Sequence, residues 1–186
     1  MGELKPKTYV LRIGHRPERD KRITTHVALA ARALGASGFF LADECDFSVI
    51  RSILRVEETW GQGLDLISCG LPWRFYVELW RKRNWPVVHL TMYGVPVDDV
   101  VGGLRETGKP VLVAVGAEKV PTELYELANY NVSVTNQPHS EVSALAIFLD
   151  RLYSGQELYY SLYENPRLKV EPSSREKRVI RLGSGK

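Results

Sequence analysis

Cysteine is nearly absent. Cys45 and Cys69 are the only two, and neither belongs to a C-x-x-C pair. That spacing offers no disulfide framework and no zinc knuckle. Both cysteines read as buried apolar thiols, in a chain suited to a reducing cytoplasm. Long apolar runs are missing too: none reaches the ~18 residues that a membrane span requires. The amino terminus is polar and leads directly into a strand, so no export signal is expected. His15, His26, His89 and His139 are scattered, with no H-x-x-x-H spacing and no cysteine pair nearby, so no metal site is expected. Gln, Asn and Met are scarce, a composition common in heat-tolerant proteins.

Three familiar catalytic patterns fail on context. Gly103-Leu104-Arg105-Glu106-Thr107-Gly108-Lys109-Pro110 has P-loop spacing, but it leaves a predicted helix and enters a strand, the reverse of a P-loop. Proline follows Lys109 where a magnesium-binding Ser or Thr belongs. Gly61-Gln62-Gly63 lacks the third glycine of a dinucleotide fingerprint. Ser140, His139 and Asp98 could form a triad only on paper, because no G-x-S-x-G elbow accompanies them.

What is present is an α/β pattern in a length typical of one domain. Apolar residues make up 44% of the 186-residue chain, enough for a full core. Residues 8–13, 38–42, 66–69, 87–91, 111–115 and 131–135 are short and apolar rather than alternating, as in strands buried on both faces. Helical periodicity separates them at 24–34, 47–60, from Pro72 toward Arg83, and at 97–104, 122–128 and 138–153. This alternation predicts a parallel sheet with helices on both faces.

Three strand-to-helix junctions carry unusual polar sequences. They are His89-Leu90-Thr91-Met92-Tyr93-Gly94, Val115-Gly116-Ala117-Glu118-Lys119-Val120-Pro121 and Val134-Thr135-Asn136-Gln137-Pro138-His139-Ser140-Glu141. Pro138 is well placed as a first helical residue, where its missing N–H costs nothing. Such junctions leave backbone N–H groups free for a ligand, and three of them suggest one pocket. Positive charge is clustered rather than general. Net charge is +3, yet residues 12–32 hold six Lys/Arg, and residues 167–186 hold seven against Glu171 and Glu176. Clusters of that kind suit a polyanion. The run Trp73-Arg74-Phe75-Tyr76-Val77-Glu78-Leu79-Trp80-Arg81-Lys82-Arg83-Asn84-Trp85 interleaves aromatic and basic residues, as RNA binders do. Trp73, Val77 and Trp80 fall on one helical face, however, and are better read as core.

Four ordered segments together resemble a known family. They are Leu11-Arg12-Ile13-Gly14-His15-Arg16-Pro17-Glu18-Arg19-Asp20-Lys21-Arg22, Val88-His89-Leu90-Thr91-Met92-Tyr93-Gly94, Val115-Gly116-Ala117-Glu118-Lys119-Val120-Pro121 and Asn136-Gln137-Pro138-His139-Ser140-Glu141-Val142. They are similar to the archaeal tRNA (cytidine(56)-2′-O-)-methyltransferases of the SPOUT class, which methylate a T-loop ribose. The resemblance runs from about Val10 to Tyr153 and is weak over residues 43–85. It implies an α/β fold with a C-terminal trefoil knot, a homodimer, tRNA as substrate and S-adenosylmethionine as methyl donor. A SPOUT domain would occupy residues 1–160 and a basic extension residues 161–186. Carried over, the cofactor would contact Leu90, then Val115, Gly116, Ala117, Glu118 and Lys119, then Val134, Thr135, Asn136, Gln137, Pro138, His139 and Ser140. The arginine usual in the first SPOUT motif is replaced here by Leu29. Arg22 is the expected substitute, since it lies closest to the predicted helix start, with Arg19 as the alternative. His26 is a candidate base or a cap. Arg12, Arg16 and Lys21 would hold RNA phosphate. The competing expectation is a non-catalytic RNA- or nucleotide-binding α/β domain.

Overall fold

The computed structural model describes residues 4–117, 120–159 and 163–182. Six parallel strands form the main sheet: β1 (Thr8–Ile13), β2 (Gly38–Leu41), β3 (Leu66–Cys69), β4 (Val87–Pro96), β5 (Val111–Gly116) and β6 (Tyr130–Ser133). Their order is β3-β2-β1-β5-β4-β6. Helices α1 (Pro17–Ala33), α2 (Phe47–Trp60), α3 (Trp73–Lys82), α4 (Asp98–Thr107), α5 (Thr122–Leu127) and α6 (Glu141–Tyr153) connect and follow them.

The apolar strands are buried on both faces, as expected. Val10, Phe39, Leu41, Val113 and Val115 face one core with Val27, Ala31, Val49, Ile53, Leu104, Leu145, Phe148 and Leu149 of α1, α2, α4 and α6. Leu11, Ile13, Phe40, Leu112 and Ala114 face the other, with Tyr76, Val77, Trp80 and Leu124 of α3 and α5. The period-2 reversal of side chains along a strand produces this division. Val77 and Trp80 are core, as the helical face required, and Trp73 packs against the same cluster.

Helix starts differ from the sequence expectation. α1 begins at Pro17, not at Thr24, so most of the basic 14–26 segment is helix rather than loop. Pro17 takes a first-turn position, and Asp20 accepts hydrogen bonds from Arg16 N and Arg16 Nε at 3.0 and 2.8 Å. Thr24 is therefore an interior residue, not a cap. In α6, Ser140 is the N-cap and its hydroxyl accepts from Val142 N at 3.2 Å. Pro138 lies before the helix in the connecting loop, because capping by Ser140 sets the first turn later.

Two further corrections concern the periphery. Cys45 and Cys69 are joined as a disulfide with Cα atoms 5.0 Å apart, tying the β2–α2 loop to the end of β3. Sequence spacing could not reveal this, because only the parallel pairing of β2 and β3 brings residues 24 apart together. The tail, expected as a basic extension, forms an antiparallel hairpin, β7 (Leu168–Glu171) with β8 (Arg178–Arg181). Tyr163 anchors its base: the Arg32 guanidinium lies 4.3 Å from its ring centroid, and Arg32 also pairs with Glu57 and the Gly61 carbonyl. Arg32 is thus buried and contributes nothing to a basic surface.

Cross-linking a loop of this length restricts the unfolded chain by about 3 kcal/mol. A Cys45→Ser/Cys69→Ser double variant is expected to melt well below the parent while keeping its circular dichroism spectrum. Equal melting temperatures would show that the bridge adds no stability.

Candidate active site

Every strand of the sheet runs in one direction, so the loops after β1, β4, β5 and β6 leave from the same edge. There they enclose a cavity of about 590 Å³. Leu90, Gly116, Ala117, Val134, Gln137, Pro138 and His139 line it, and so do Arg16, Asp20, His89, Tyr125, Glu141 and Ala144. A volume in this range accommodates a cofactor-sized molecule.

The wall at β4 depends on an interruption. β4 pairs with β6 up to Leu90–Val132, bulges through residues 91–94, and rejoins at Val95–Val132. Thr91, Met92 and Tyr93 turn into the cavity wall through that bulge. Gly94 makes the bulge possible, since a Cβ there would lie 2.5 Å from the backbone of Asn131 and Val132. Asn136 Nδ2 donates to the carbonyls of Met92 and Gly94 at 2.7 and 3.2 Å, holding the last junction against the first.

Beneath the bulge, Asn131 Nδ2 donates to the Tyr125 carbonyl at 2.9 Å, which orients its amide oxygen toward His89 Nδ1, also at 2.9 Å. His89 therefore carries its proton on Nδ1. Burial lowers the pKa of this imidazole, partly countered by the Asn131 hydrogen bond, and favours the neutral ring. Tyr125 packs edge-on against His89 at 4.6 Å and exchanges a hydrogen bond with Thr91 Oγ1 at 3.0 Å.

Two arginine–carboxylate pairs occupy the opposite side. Arg16 holds Asp20, whose carboxyl falls to about 2 chiefly through the Arg16 hydrogen bonds, against the effect of burial. Arg12 reaches Glu141 at 3.0 Å. Its side chain is completely buried, so the expected contact of Arg12 with RNA phosphate is not available. Charge counting along a sequence assumes exposure, and Arg12 points inward from β1 instead. Burial lowers the pKa of its guanidinium, and Glu141 opposes that.

The remaining expected residues divide clearly. Val115 belongs to the core under the cavity. Thr135, Asn136 and Ser140 lie in the exposed loop behind the wall, and Glu118 and Lys119 fall outside the described residues. Arg19, Lys21, Arg22 and His26 are exposed on α1 and do not reach the cavity of their own chain. At about 100° per helical residue, Arg22 lies nearly opposite Asp20, and His26 nearly opposite Thr24. Sequence reasoning missed His89, Tyr125, Asp20 and Glu141 as wall residues. The 88–94 junction contains His89, but only Leu90 was singled out there. Ser140 and His139 do not form a triad with Asp98: the Ser140 hydroxyl is used in capping, and Asp98 lies near Arg151 at 3.9 Å. Among the described residues, no group of three His, Cys, Asp or Glu could hold a metal ion.

Residues 60–180 match the family model described as tRNA ribose 2′-O-methyltransferase, aTrm56. The chain belongs to this family. A tRNA (cytidine(56)-2′-O)-methyltransferase of Hyperthermus butylicus is 54% identical over 174 residues, covering 94% of this chain and 92% of that relative. The enzyme of the same name from Staphylothermus marinus is 55% identical over 176 residues, covering 95% of this chain and 94% of the relative. The family's fold is shared with solved RNA methyltransferases. An RNA 2′-O ribose methyltransferase superposes with a TM-score of 0.61 at 18% identity, over 82% of this chain and 57% of that one. The SpoU methyltransferase AviRb from Streptomyces viridochromogenes, in complex with AdoMet, gives 0.57 at 19% identity, over 84% of this chain and 62% of that one. The chain thus spans about three-fifths of these solved chains and most of its curated relatives.

Gly94→Ala would place a methyl group inside the backbone of β6. It is expected to destabilise the fold by more than about 2 kcal/mol, measured by denaturant unfolding. A neutral effect would mean that the bulge does not need glycine.

Proposed function

We propose that this chain methylates the ribose 2′-hydroxyl of cytidine 56 in the T-loop of tRNA, using S-adenosylmethionine and releasing S-adenosylhomocysteine. One observation carries the reading: the ends of β4, β5 and β6 converge on a single cavity, in a chain whose curated relatives bear this name. The residues present fit the cofactor. Leu90, Val134, Pro138 and Ala144 give an apolar wall suited to a purine, and the strand ends supply backbone donors and acceptors. Asp20 and Glu141, each paired with an arginine, add polar groups to the wall without a net charge. When bound, S-adenosylmethionine supplies an electrophilic methyl group on a positively charged sulfur. The chain's own task is to orient the 2′-oxygen, exclude water and assist loss of the hydroxyl proton. The trefoil knot is part of this reading.

Arg22, Arg19 and His26 retain their assignment to the hydroxyl, with one change. Because they are exposed on the outer face of α1, they act on a 2′-hydroxyl held in the cavity of a second copy. This requires a homodimer. Tyr93, Val95, Tyr130 and Ile147, large apolar side chains exposed on β4, β6 and α6, support one. Arg16 and Lys21 hold phosphate at the entrance. Among the described residues no helix is long and apolar enough to cross a membrane; the enzyme works in the cytoplasm, where its substrate is. The disulfide does not argue otherwise, since bridged intracellular proteins are common in hyperthermophiles.

Residues 161–186 are an extension of the catalytic domain (1–160) that grips tRNA. Arg167, Lys169, Arg175, Lys177, Arg178 and Arg181 are all exposed on or beside the hairpin. The hairpin lies at the far end of α1 from Arg16, about 25 Å along a 17-residue helix. A polyanion reaching both must be long, as tRNA is.

Mass-spectrometric mapping of an unmodified tRNA transcript should find one ribose methyl group, at position 56. Modification elsewhere, or none, would contradict the assignment. An Arg22→Ala protein should lose at least about a hundredfold in turnover with tRNA affinity retained; near-normal turnover would remove Arg22 from the mechanism. Neutralising Lys169, Arg178 and Arg181 together should weaken tRNA binding and flatten its salt dependence by about 0.7–0.9 per lost phosphate contact. An unchanged slope would take the hairpin out of the interface.

A further inference from the structure

Arg12 is a cation with no exposed surface, and each of its nitrogens is committed to a different element. Nε donates to Thr24 Oγ1 of α1 at 3.3 Å, Nη1 to the Gly116 carbonyl at the end of β5 at 2.7 Å, and Nη2 to Glu141 of α6 at 3.0 Å. Gly116 and Glu141 are cavity-wall residues, and Thr24 lies one turn after Asp20, which is another. The guanidinium is planar and rigid, so three divergent bonds fix three walls at set distances from one another.

The network continues away from the cavity in one consistent direction. Thr24 Oγ1 accepts from Arg12 and its hydroxyl donates to His15 Nδ1 at 2.9 Å, while His15 Nε2 donates to Asp46 at 3.3 Å. Asp46 caps α2 by accepting from Ser48 N and Val49 N. Burial works against this carboxylate, yet the bonds from Ser48, Val49 and His15 hold it down to about 2. The next residue back, Cys45, is in the disulfide. Arg12 is therefore braced from behind by α2 and aimed at the cavity wall.

Fold stability alone does not call for such a residue. Apolar replacement of a buried ion pair is often neutral or stabilising. A network that instead reaches three walls of one cavity points to a role in that cavity.

We propose that Arg12 is a positioning residue for the methyl-donor site: through Gly116 and Glu141 it sets the β5 and α6 walls at the spacing the donor requires. The inference rests on the reading of this cavity as the S-adenosylmethionine site. Arg12 touches neither donor nor RNA. Its loss should therefore appear in donor affinity and leave tRNA affinity alone.

The test uses Arg12→Lys, which keeps the charge but gathers its donors on one nitrogen and cannot span all three partners, and Glu141→Gln, at a partly exposed position. Calorimetry with S-adenosylhomocysteine, filter binding of tRNA, steady-state kinetics and denaturant unfolding are run on each. The expected result is an S-adenosylhomocysteine Kd and a donor KM raised about tenfold or more, with kcat within about threefold and tRNA Kd within about twofold. Should Arg12→Lys not fold, Glu141→Gln carries the same expectation at an unchanged unfolding midpoint. Donor Kd and KM unchanged in Glu141→Gln would overturn the proposal, as would a loss confined to tRNA affinity. If the unsubstituted protein itself bound no S-adenosylhomocysteine, the cavity assignment would fall first and this role with it.

Discussion

Parallel pairing is the constraint on which the rest of this structure depends. Six strands point the same way, so the polar backbone ends of β4, β5 and β6 emerge together at one edge. Backbone groups at such an edge have lost their ladder partners and must be satisfied by side chains, solvent or ligand. Here part of that need is met internally. Ala117 N donates to the Ile13 carbonyl at 2.9 Å, Arg12 takes the Gly116 carbonyl, and Asn136 takes two carbonyls of the β4 bulge. What remains open is the cavity between these braces.

Much of the sheet was legible because buried parallel strands are written as short apolar runs. β1 and β3 appear within their expected bounds, and β2, β5 and β6 within about two residues of them. β4 was read short, as 87–91, because its second half follows a bulge, and a bulge obeys no simple period. The junction segments were visible as polar sequence interrupting apolar runs, and seven of the eleven described residues assigned to the cofactor line the cavity. Glycine and proline marked the turns well. They marked the helix starts less well, because capping by Ser140 and the Arg16–Asp20 pair decide where α6 and α1 begin.

The charged residues were the least legible. Linear charge treats Arg12, Arg16, Arg22 and Arg32 as equivalent, although the fold gives each a different environment. Arg12 faces inward from a strand, Arg16 lines the cavity beside Asp20, Arg22 lies on the outer face of α1, and Arg32 packs on Tyr163. Side-chain direction along a strand or helix decides among these outcomes: a one-residue shift reverses the face on a strand and turns it by about 100° on a helix. The disulfide was invisible for a related reason: contact between Cys45 and Cys69 exists only once β2 and β3 are paired.

Diffraction from crystals soaked with S-adenosylhomocysteine decides whether the three strand ends hold the methyl donor. One molecule per chain is expected, bounded by Leu90, Gly116 and the loop at Gln137–His139, with Arg12 remaining out of contact behind Glu141. Density at any other site, or none at saturating ligand, would contradict it.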